Sequence, residues 1–145
     1  MAEPGALGLA TNGFLAGKTC LVLDDEFLIA LDIQQILENA GAARVVSVSN
    51  ATDALEALGR EIRFDVAVLD VKLSGGAGSS MSVAAALTRR EIPFVFLTGL
   101  RADEVHAQSF PDAPVVEKPY QAPLLLAALR RLLPPEAGSA PRGGA

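Results

Sequence analysis

The sequence predicts an α/β domain, a (βα)5 chain that forms an open, doubly wound sheet of five parallel strands. Short apolar runs alternate with longer amphipathic stretches five times along the chain. Most of these runs lack the alternation of polar and apolar residues expected of a half-exposed strand. Continuous apolar strands are typical of a parallel sheet covered on both faces. Because a closed barrel of this kind needs eight strands, five favour the open sheet.

Each predicted strand is short and rich in Val, Leu or Phe. The strands are Thr19–Asp24, Arg44–Val48, Val66–Asp70, Phe94–Thr98 and Pro114–Lys118. The predicted helices are Glu26–Ala40, Ala51–Glu61, Ser80–Glu91, Arg101–Gln108 and Ala122–Leu133. The apolar residues at helical spacing in the first helix are Phe27, Ala30, Leu31, Leu37 and Ala40. Gly41 follows the first helix and is a natural stop for it. The segment 101–108 has only one strong apolar residue, Val105, and this pattern predicts a short or mobile helix.

Composition and charge narrow the function classes. Of 145 residues, 50% are hydrophobic and 20% are charged, so the chain can bury the core of one domain and is not disordered. A single cysteine, Cys20, excludes a disulfide scaffold and is expected to be a small buried apolar residue. The net charge of −5 argues against a nucleic-acid partner. Without a signal peptide or an apolar stretch of roughly 20 residues, a cytoplasmic protein with no membrane partner is expected.

Composition also predicts the domain boundaries. Residues 1–17 mix Gly, Ala and Pro without sustained periodicity and are predicted to form a flexible N-terminal extension. Residues 134–145 are rich in helix breakers and are predicted to form a flexible C-terminal tail. The folded domain is therefore expected to span residues 18–133. The twelve residues after Leu133 are too few for an output domain, so we expect a stand-alone domain that acts through protein contacts.

Polar or charged groups follow four of the five strands, at the edge where open α/β sheets bind ligands. These groups are Asp24 and Asp25, Asp70, Thr98, and Lys118. If the first and third strands are neighbours, about 4.8 Å apart, three carboxylates crowd one pocket. Like charges about 4 Å apart repel by on the order of 4 kcal/mol, so the cluster needs a cation. Carboxylate oxygens favour Mg²⁺, whereas any single one of these residues would more often be a turn or helix-cap residue.

The motifs LVLDDE, VAVLD, FLTG and EKPY occur in this order and with suitable spacing. Through them the chain resembles a response-regulator receiver domain, the phosphoacceptor half of two-component signalling, over about residues 18–133. The resemblance implies the flavodoxin-like strand order 2-1-3-4-5. It also implies a single-domain response regulator that receives a phosphoryl group from a sensor histidine kinase or a histidine phosphotransfer protein. Such a protein would signal through protein–protein contact, as a monomer or a weak homodimer.

The resemblance assigns a role to each motif residue. Asp70 would be the phosphoacceptor, Thr98 would hydrogen-bond one phosphoryl oxygen and Lys118 would pair with another. The ligands of Mg²⁺, for which Mn²⁺ can substitute, would be Asp24, Asp25, Asp70 and the backbone carbonyl of Val71. The Lys118–Pro119 peptide would be cis, as in the family. The chain would catalyse its own phosphorylation and dephosphorylation and would not be a conventional turnover enzyme.

Three further residues are candidate modulators of the site: Lys72, Gly99 and Tyr120. The Lys72 ammonium could compete with Mg²⁺ or shield the phosphoryl group from water, which predicts faster phosphate loss in Lys72→Ala; the alternative is a solvated lysine. Tyr120 stands where an aromatic residue is common, with simple packing as the alternative. Val115 stands where the family usually has the aromatic residue whose rotation signals activation, so that form of the switch is not expected.

The stretch PFVFLTG resembles a subgroup called FATGUY receivers, which are commonly stand-alone proteins. The closing aromatic residue of that subgroup is absent, because Leu100 and Arg101 follow Gly99.

Three other functions are open. A phosphorylation-independent binding module would keep the fold without the chemistry. A phosphohydrolase of the haloacid-dehalogenase type also uses Asp, Thr, Lys and Mg²⁺, but it needs an acidic pair after the lysine, and nothing acidic follows Lys118 until Glu136. A flavodoxin-like cofactor domain is disfavoured because Asp24, Asp25 and Glu26 would repel a flavin phosphate.

Overall fold

The computed structural model describes residues 13–60, 62–71, 80–99, 110 and 112–133. Its five-stranded parallel sheet has the order β2-β1-β3-β4-β5, which confirms the predicted fold class and strand order. The strands are β1 (Thr19–Leu23), β2 (Arg44–Val48), β3 (Val66–Asp70), β4 (Phe94–Thr98) and β5 (Val115–Glu117). The helices are α1 (Phe27–Asn39), α2 (Ala51–Leu58), α3 (Ser80–Arg89) and α4 (Ala122–Leu132), and a 3-10 turn covers Gly13–Leu15. The predicted helix at 101–108 lies outside the described residues.

Different helices cover the two faces of the sheet. Leu21, Leu69 and Phe96 pack toward α2 and α3, whereas the alternating residues Val22 and Val68 pack toward α1 and α4. The central strands β3 and β4 are buried along their whole length, as their unbroken apolar sequences predict. The edge strand β2 is only partly buried. The helices of the described residues are at most 13 residues long, and none of them could cross a bilayer.

Cys20 in β1 is fully buried on the α1 side of the sheet, as expected. Burial, helped by the nearby Asp65 carboxylate, raises the pKa of its thiol to about 12. The thiol therefore stays protonated and packs as a small apolar group.

The buried face of α1 differs from the predicted one. Its buried residues are Ala30, Ile33 and Leu37. Phe27 and Leu31, which were expected to share the apolar stripe, are 76% and 40% exposed. The helix begins four residues beyond the end of β1, so its first turn lies at the rim of the sheet, where less of the core covers it.

Residues 13–17, which the sequence assigns to the N-terminal extension, pack against the domain. Leu15 is fully buried, and its N–H donates to the carbonyl of Ala40 at 3.1 Å. Gly41, two residues after the end of α1, has a φ of +107°, and a Cβ there would lie 3.2 Å from the backbone nitrogen of Ala16. Glycine is therefore required both for the turn and for the close approach of the N-terminal segment. The folded part of the chain therefore includes residues 13–17.

Candidate metal site at the carboxyl edge of the sheet

The carboxyl ends of four strands bring the predicted site residues together. Asp24 directly follows β1 and Asp70 ends β3, and the register of these neighbouring strands places the two residues level with each other. Thr98 ends β4, and Lys118 directly follows β5, whose last residue pairs with Thr98. Because all these strands are parallel, their terminal side chains meet at one edge.

Three carboxylates form a compact cluster at this edge. One carboxylate oxygen from each of Asp24, Asp25 and Asp70 lies within 4.8 Å of the others. Asp24 is 1% exposed and Asp70 is 3% exposed, whereas Asp25 is half-buried. Negative charges at this separation repel one another, and their removal from water strengthens the repulsion.

The Lys118 ammonium lies between two of these carboxylates. Its Nζ is 3.4 Å from Oδ1 of Asp70 and 3.7 Å from Oδ2 of Asp24. Its backbone N–H donates to the carbonyl of Thr98 at 2.7 Å. This bond continues the pairing of β4 with β5 and holds the backbone of Lys118 in place. The peptide bond from Lys118 to Pro119 is cis, as predicted. With every group ionised, three carboxylates and one ammonium leave two negative charges, which one divalent cation would neutralise.

The buried carboxylate of Asp24 is only partly hydrogen-bonded. Its Oδ1 accepts a hydrogen bond from the Glu26 N–H at 2.9 Å, but its buried Oδ2 has no hydrogen-bond partner within the part of the chain described. Burial raises the pKa of Asp24; the Glu26 N–H and the Lys118 ammonium act to lower it, while the carboxylates of Glu26 and Asp25 raise it further. A buried carboxylate oxygen without a donor is costly, and it leaves a lone pair free for a hard cation.

Val71 and Ser80 add a contact that the sequence analysis missed. The hydroxyl of Ser80, the fully buried first residue of α3, donates to the Val71 carbonyl at 3.1 Å. That carbonyl is the predicted backbone ligand, and this bond occupies one of its two lone pairs. Only the second lone pair remains open to a metal. No local pattern marks Ser80, because its role depends on the distance between α3 and the end of β3.

Thr98 and Gly99 occupy the end of β4 with opposite environments. Thr98 is fully buried, whereas Gly99 is exposed and a Cβ there would meet no heavy atom of the described residues within 4 Å. Val115, at the position where the resemblance would place an aromatic switch residue, is half-buried and pairs with Phe96 in the sheet. Lys72 lies outside the described residues.

Tyr120 links the loop after Lys118 to helix α1. Its hydroxyl donates to Oδ2 of Asp32 at 2.7 Å, across 88 positions of the sequence, and its ring packs against the core on the α1 side. Burial, followed by the hydrogen bond to Asp32, raises the pKa of Tyr120, so the phenol stays protonated and acts as the donor. Tyr120 can be identified from the sequence but Asp32 cannot, because a polar residue on an exposed helical position gives no local sign of so distant a partner.

Comparisons with known proteins agree with the fold described above. The family profile described as the response regulator receiver domain matches residues 20–130. The phyllosphere-induced regulator PhyR of Methylorubrum extorquens is 24% identical over 113 residues, which cover 78% of this chain and 42% of PhyR. The chain thus spans less than half the length of that curated relative.

Two solved structures extend the comparison. A response regulator receiver protein from Sinorhizobium medicae WSM419 is 29% identical, with a TM-score of 0.73 over 80% of this chain and 94% of that one. The BeF3-activated conformation of SdrG from Pseudomonas melonis Fr1 is 39% identical, with a TM-score of 0.64 over 79% of this chain and 97% of that one.

Proposed function

The chain belongs to the family of response regulator receiver domains, and from that premise we propose that it accepts a phosphoryl group on Asp70 in a Mg²⁺-dependent reaction. The observation that carries the proposal is the buried Asp70 carboxylate, which is clustered with Asp24 and Asp25 and lies 3.4 Å from the Lys118 ammonium. The donor is the phosphohistidine of a sensor histidine kinase or a histidine phosphotransfer protein. The output is contact with a further protein.

Asp24, Asp25 and Asp70 are the proposed ligands of Mg²⁺, and Mn²⁺ can substitute. Three clustered carboxylates suit a small, hard dication, and so does the Oδ2 of Asp24, which accepts no hydrogen bond from the described residues. The second lone pair of the Val71 carbonyl is the fourth candidate ligand. When bound, Mg²⁺ neutralises carboxylate and phosphoryl oxygens.

Asp70 is the nucleophile of the proposed reaction. One of its carboxylate oxygens attacks phosphorus as the bond from phosphorus to the donor nitrogen breaks, and the electron pair of that bond stays on the imidazole. The product is an acyl phosphate on Asp70. Negative charge spreads over the phosphoryl oxygens in the transition state, so catalysis consists mainly of positioning and neutralisation. The Lys118 ammonium pairs with one of these oxygens, and the Thr98 hydroxyl donates a hydrogen bond to another.

The acyl phosphate then shifts the loops around Thr98 between two arrangements, and a partner protein reads the difference. SdrG, which is 39% identical, has been solved in a BeF3-activated conformation, and this supports a phosphoryl-dependent change in the present chain. With Val115 in place of the usual aromatic residue, the change does not use rotation of a ring at that position. We propose that the protein acts in the cytoplasm as a stand-alone receiver, a monomer or a weak homodimer, without contact to nucleic acid.

The test is the intact mass of the protein after incubation with a small acyl phosphate and Mg²⁺. We expect a gain of one phosphoryl group that is lost in Asp70→Asn and when the metal is chelated. Asp112→Asn, which neutralises an exposed carboxylate outside the cluster, should still gain it.

Other outcomes identify the competing functions. A gain that survives Asp70→Asn rejects Asp70 as the acceptor. A wild-type protein that gains nothing supports the phosphorylation-independent binding module. Continuous release of phosphate from a phosphomonoester supports the haloacid-dehalogenase type of hydrolase.

A further inference from the structure

We propose that the hydrogen bond between Tyr120 and Asp32 positions Lys118 for phosphoryl transfer. This inference rests on the proposed function, because it assigns a positioning pair to the same site. The bond joins helix α1, which begins two residues after Asp25, to the loop that carries the ammonium. It therefore connects the element beside two of the carboxylates with the element that supplies the positive charge.

The loop from Lys118 to Gln121 is anchored at both ends of its path. On the strand side, the Lys118 N–H donates to the Thr98 carbonyl at 2.7 Å. On the helix side, α4 begins at Ala122. Between these points the chain has left the sheet, and the Tyr120 hydroxyl reaches across to Asp32 at 2.7 Å.

Helix α1 is a rigid support for this contact. Ile33, the residue next to Asp32, is fully buried, and Leu37 one turn later is fully buried as well. These anchors hold the backbone of Asp32 against the sheet. The short distance from the Tyr120 hydroxyl to a carboxylate oxygen is typical of a hydrogen bond strengthened by charge.

The position of the Lys118 ammonium depends on its backbone. Its Nζ lies 3.4 Å from Asp70 and 3.7 Å from Asp24, longer than the roughly 2.7–2.9 Å of tight charge-assisted hydrogen bonds. The two carboxylates therefore do not lock the long side chain in place by themselves. A displacement of the loop would move the ammonium, and errors of about 1 Å at a reacting group can cost large factors in rate.

Four single variants separate the hydrogen bond from packing and from charge. Tyr120→Phe keeps the ring in the core and removes the hydroxyl, and Asp32→Ala removes the acceptor. Asp32→Asn removes the charge but keeps an oxygen that can accept the bond. Gln34→Ala is the matched control, because it removes the exposed hydrogen bond from Gln34 to Glu38 on the same helix.

The primary measurement is the initial rate at which a small acyl phosphate phosphorylates the full chain at saturating Mg²⁺. We expect Tyr120→Phe and Asp32→Ala to slow this rate about threefold to tenfold, the scale of one hydrogen bond. The double variant should be no slower than either single variant, because both remove the same bond. Gln34→Ala should stay within about twofold of wild type, and Asp32→Asn, which keeps a neutral acceptor in place of the charged one, should lie between wild type and Asp32→Ala.

The affinity for Mg²⁺ alone, measured by calorimetry, separates positioning from general loosening. The Lys118 ammonium competes with the metal for Asp24 and Asp70, so an ammonium that is less well held should leave this affinity unchanged or higher. A loosened fold would weaken metal binding and phosphorylation together.

Three results would overturn the inference: an unchanged rate in Tyr120→Phe, a rate in Asp32→Asn as low as in Asp32→Ala, or weakened Mg²⁺ binding in the slow variants. Each of these results is compatible with a wild-type protein that becomes fully phosphorylated. The proposed function would then stand, and only the positioning role of the bond between Tyr120 and Asp32 would be rejected. A wild-type protein that gains no phosphoryl group would reject the proposed function and the inference with it.

Discussion

The two edges of the sheet are built on opposite principles. At the amino edge, Leu15 is fully buried against the end of α1, and the Asp65 carboxylate accepts a hydrogen bond from the Thr19 N–H at 2.9 Å. At the carboxyl edge, Asp24 is equally buried, but its Oδ2 has no hydrogen-bond partner among the described residues. Carboxylates occur at both edges, so the difference lies in their partners.

The amino edge therefore contributes mainly to the stability of the domain, and the carboxyl edge contributes mainly to its chemistry. Apolar burial and a paired carboxylate close the amino edge and stabilise the fold. The carboxyl edge holds crowded carboxylates whose repulsion favours a cation. Burial above all, and to a smaller extent the neighbouring carboxylates, raises the pKa of Asp24. Substitutions at the amino edge should therefore change the free energy of unfolding, while those at the carboxyl edge should change phosphorylation and metal binding.

Lys118→Met should have the largest effect on phosphorylation. Without the ammonium beside Asp70, one phosphoryl oxygen loses its charged partner, and the initial rate should fall by on the order of a hundredfold or more. The rate is measured by intact mass with a small acyl phosphate and Mg²⁺, and Arg131→Met on the exposed end of α4 is the control. A rate within a fewfold of wild type would mean that Lys118 does not contact the phosphoryl group.

Leu15→Ala should be the most damaging single change at the amino edge. It removes a fully buried side chain and should lower the free energy of unfolding by about 3 kcal/mol. Leu124→Ala is the matched control, because Leu124 is 60% exposed and its truncation should cost less than about 0.5 kcal/mol. Urea denaturation measures both, and equal losses in the two variants would show that residues 13–17 do not close this edge.

Asp24→Asn should stabilise the metal-free protein by on the order of 1 kcal/mol, because it removes a buried charge from a crowded cluster. Added Mg²⁺ should raise the melting temperature of the wild type and not that of the variant. Asp65→Asn, at the amino edge, should bring no gain in stability, since its carboxylate already has a partner.

The gain from Asp24→Asn should depend on pH. A pKa raised in the folded state means that ionisation of Asp24 destabilises the fold. Near pH 3, below the usual value of about 3.9, the carboxyl is protonated in both states and the variant should equal the wild type. As pH rises through the raised pKa toward pH 7, the difference should grow to its full size. Denaturation of both proteins in a chelator across this range tests the sign, and a difference that shrinks with rising pH would contradict it.

Gly99→Ala should have the smallest effect, although Gly99 directly follows Thr98. A Cβ at this exposed position meets no heavy atom within 4 Å in the part of the chain that the structure describes, so stability should change by less than about 0.5 kcal/mol and the phosphorylation rate by less than about twofold. A larger loss of rate would mean that the site needs a bare backbone at position 99, for instance to admit a donor protein.

The fold and the core of the candidate site were predictable from local features of the sequence. The period of the apolar residues distinguished strands from helices, and the residues after each strand, from Asp24 to Lys118, stood out as polar. Parallel strands send their carboxyl ends to one edge, so topology alone was enough to bring these residues together.

The remaining features depend on how the segments pack. Phe27 is exposed because the first turn of α1 lies at the rim of the sheet. Leu15 is buried because Gly41 has no Cβ and lets the N-terminal segment approach closely. The bond from Tyr120 to Asp32 joins residues 88 positions apart. Local periodicity encodes which elements form, but the depth and angle at which they pack decide these contacts. For this reason the motifs were enough to assign the chain to its family. The side-chain contacts around its charged groups, by contrast, could be identified only in the packed domain.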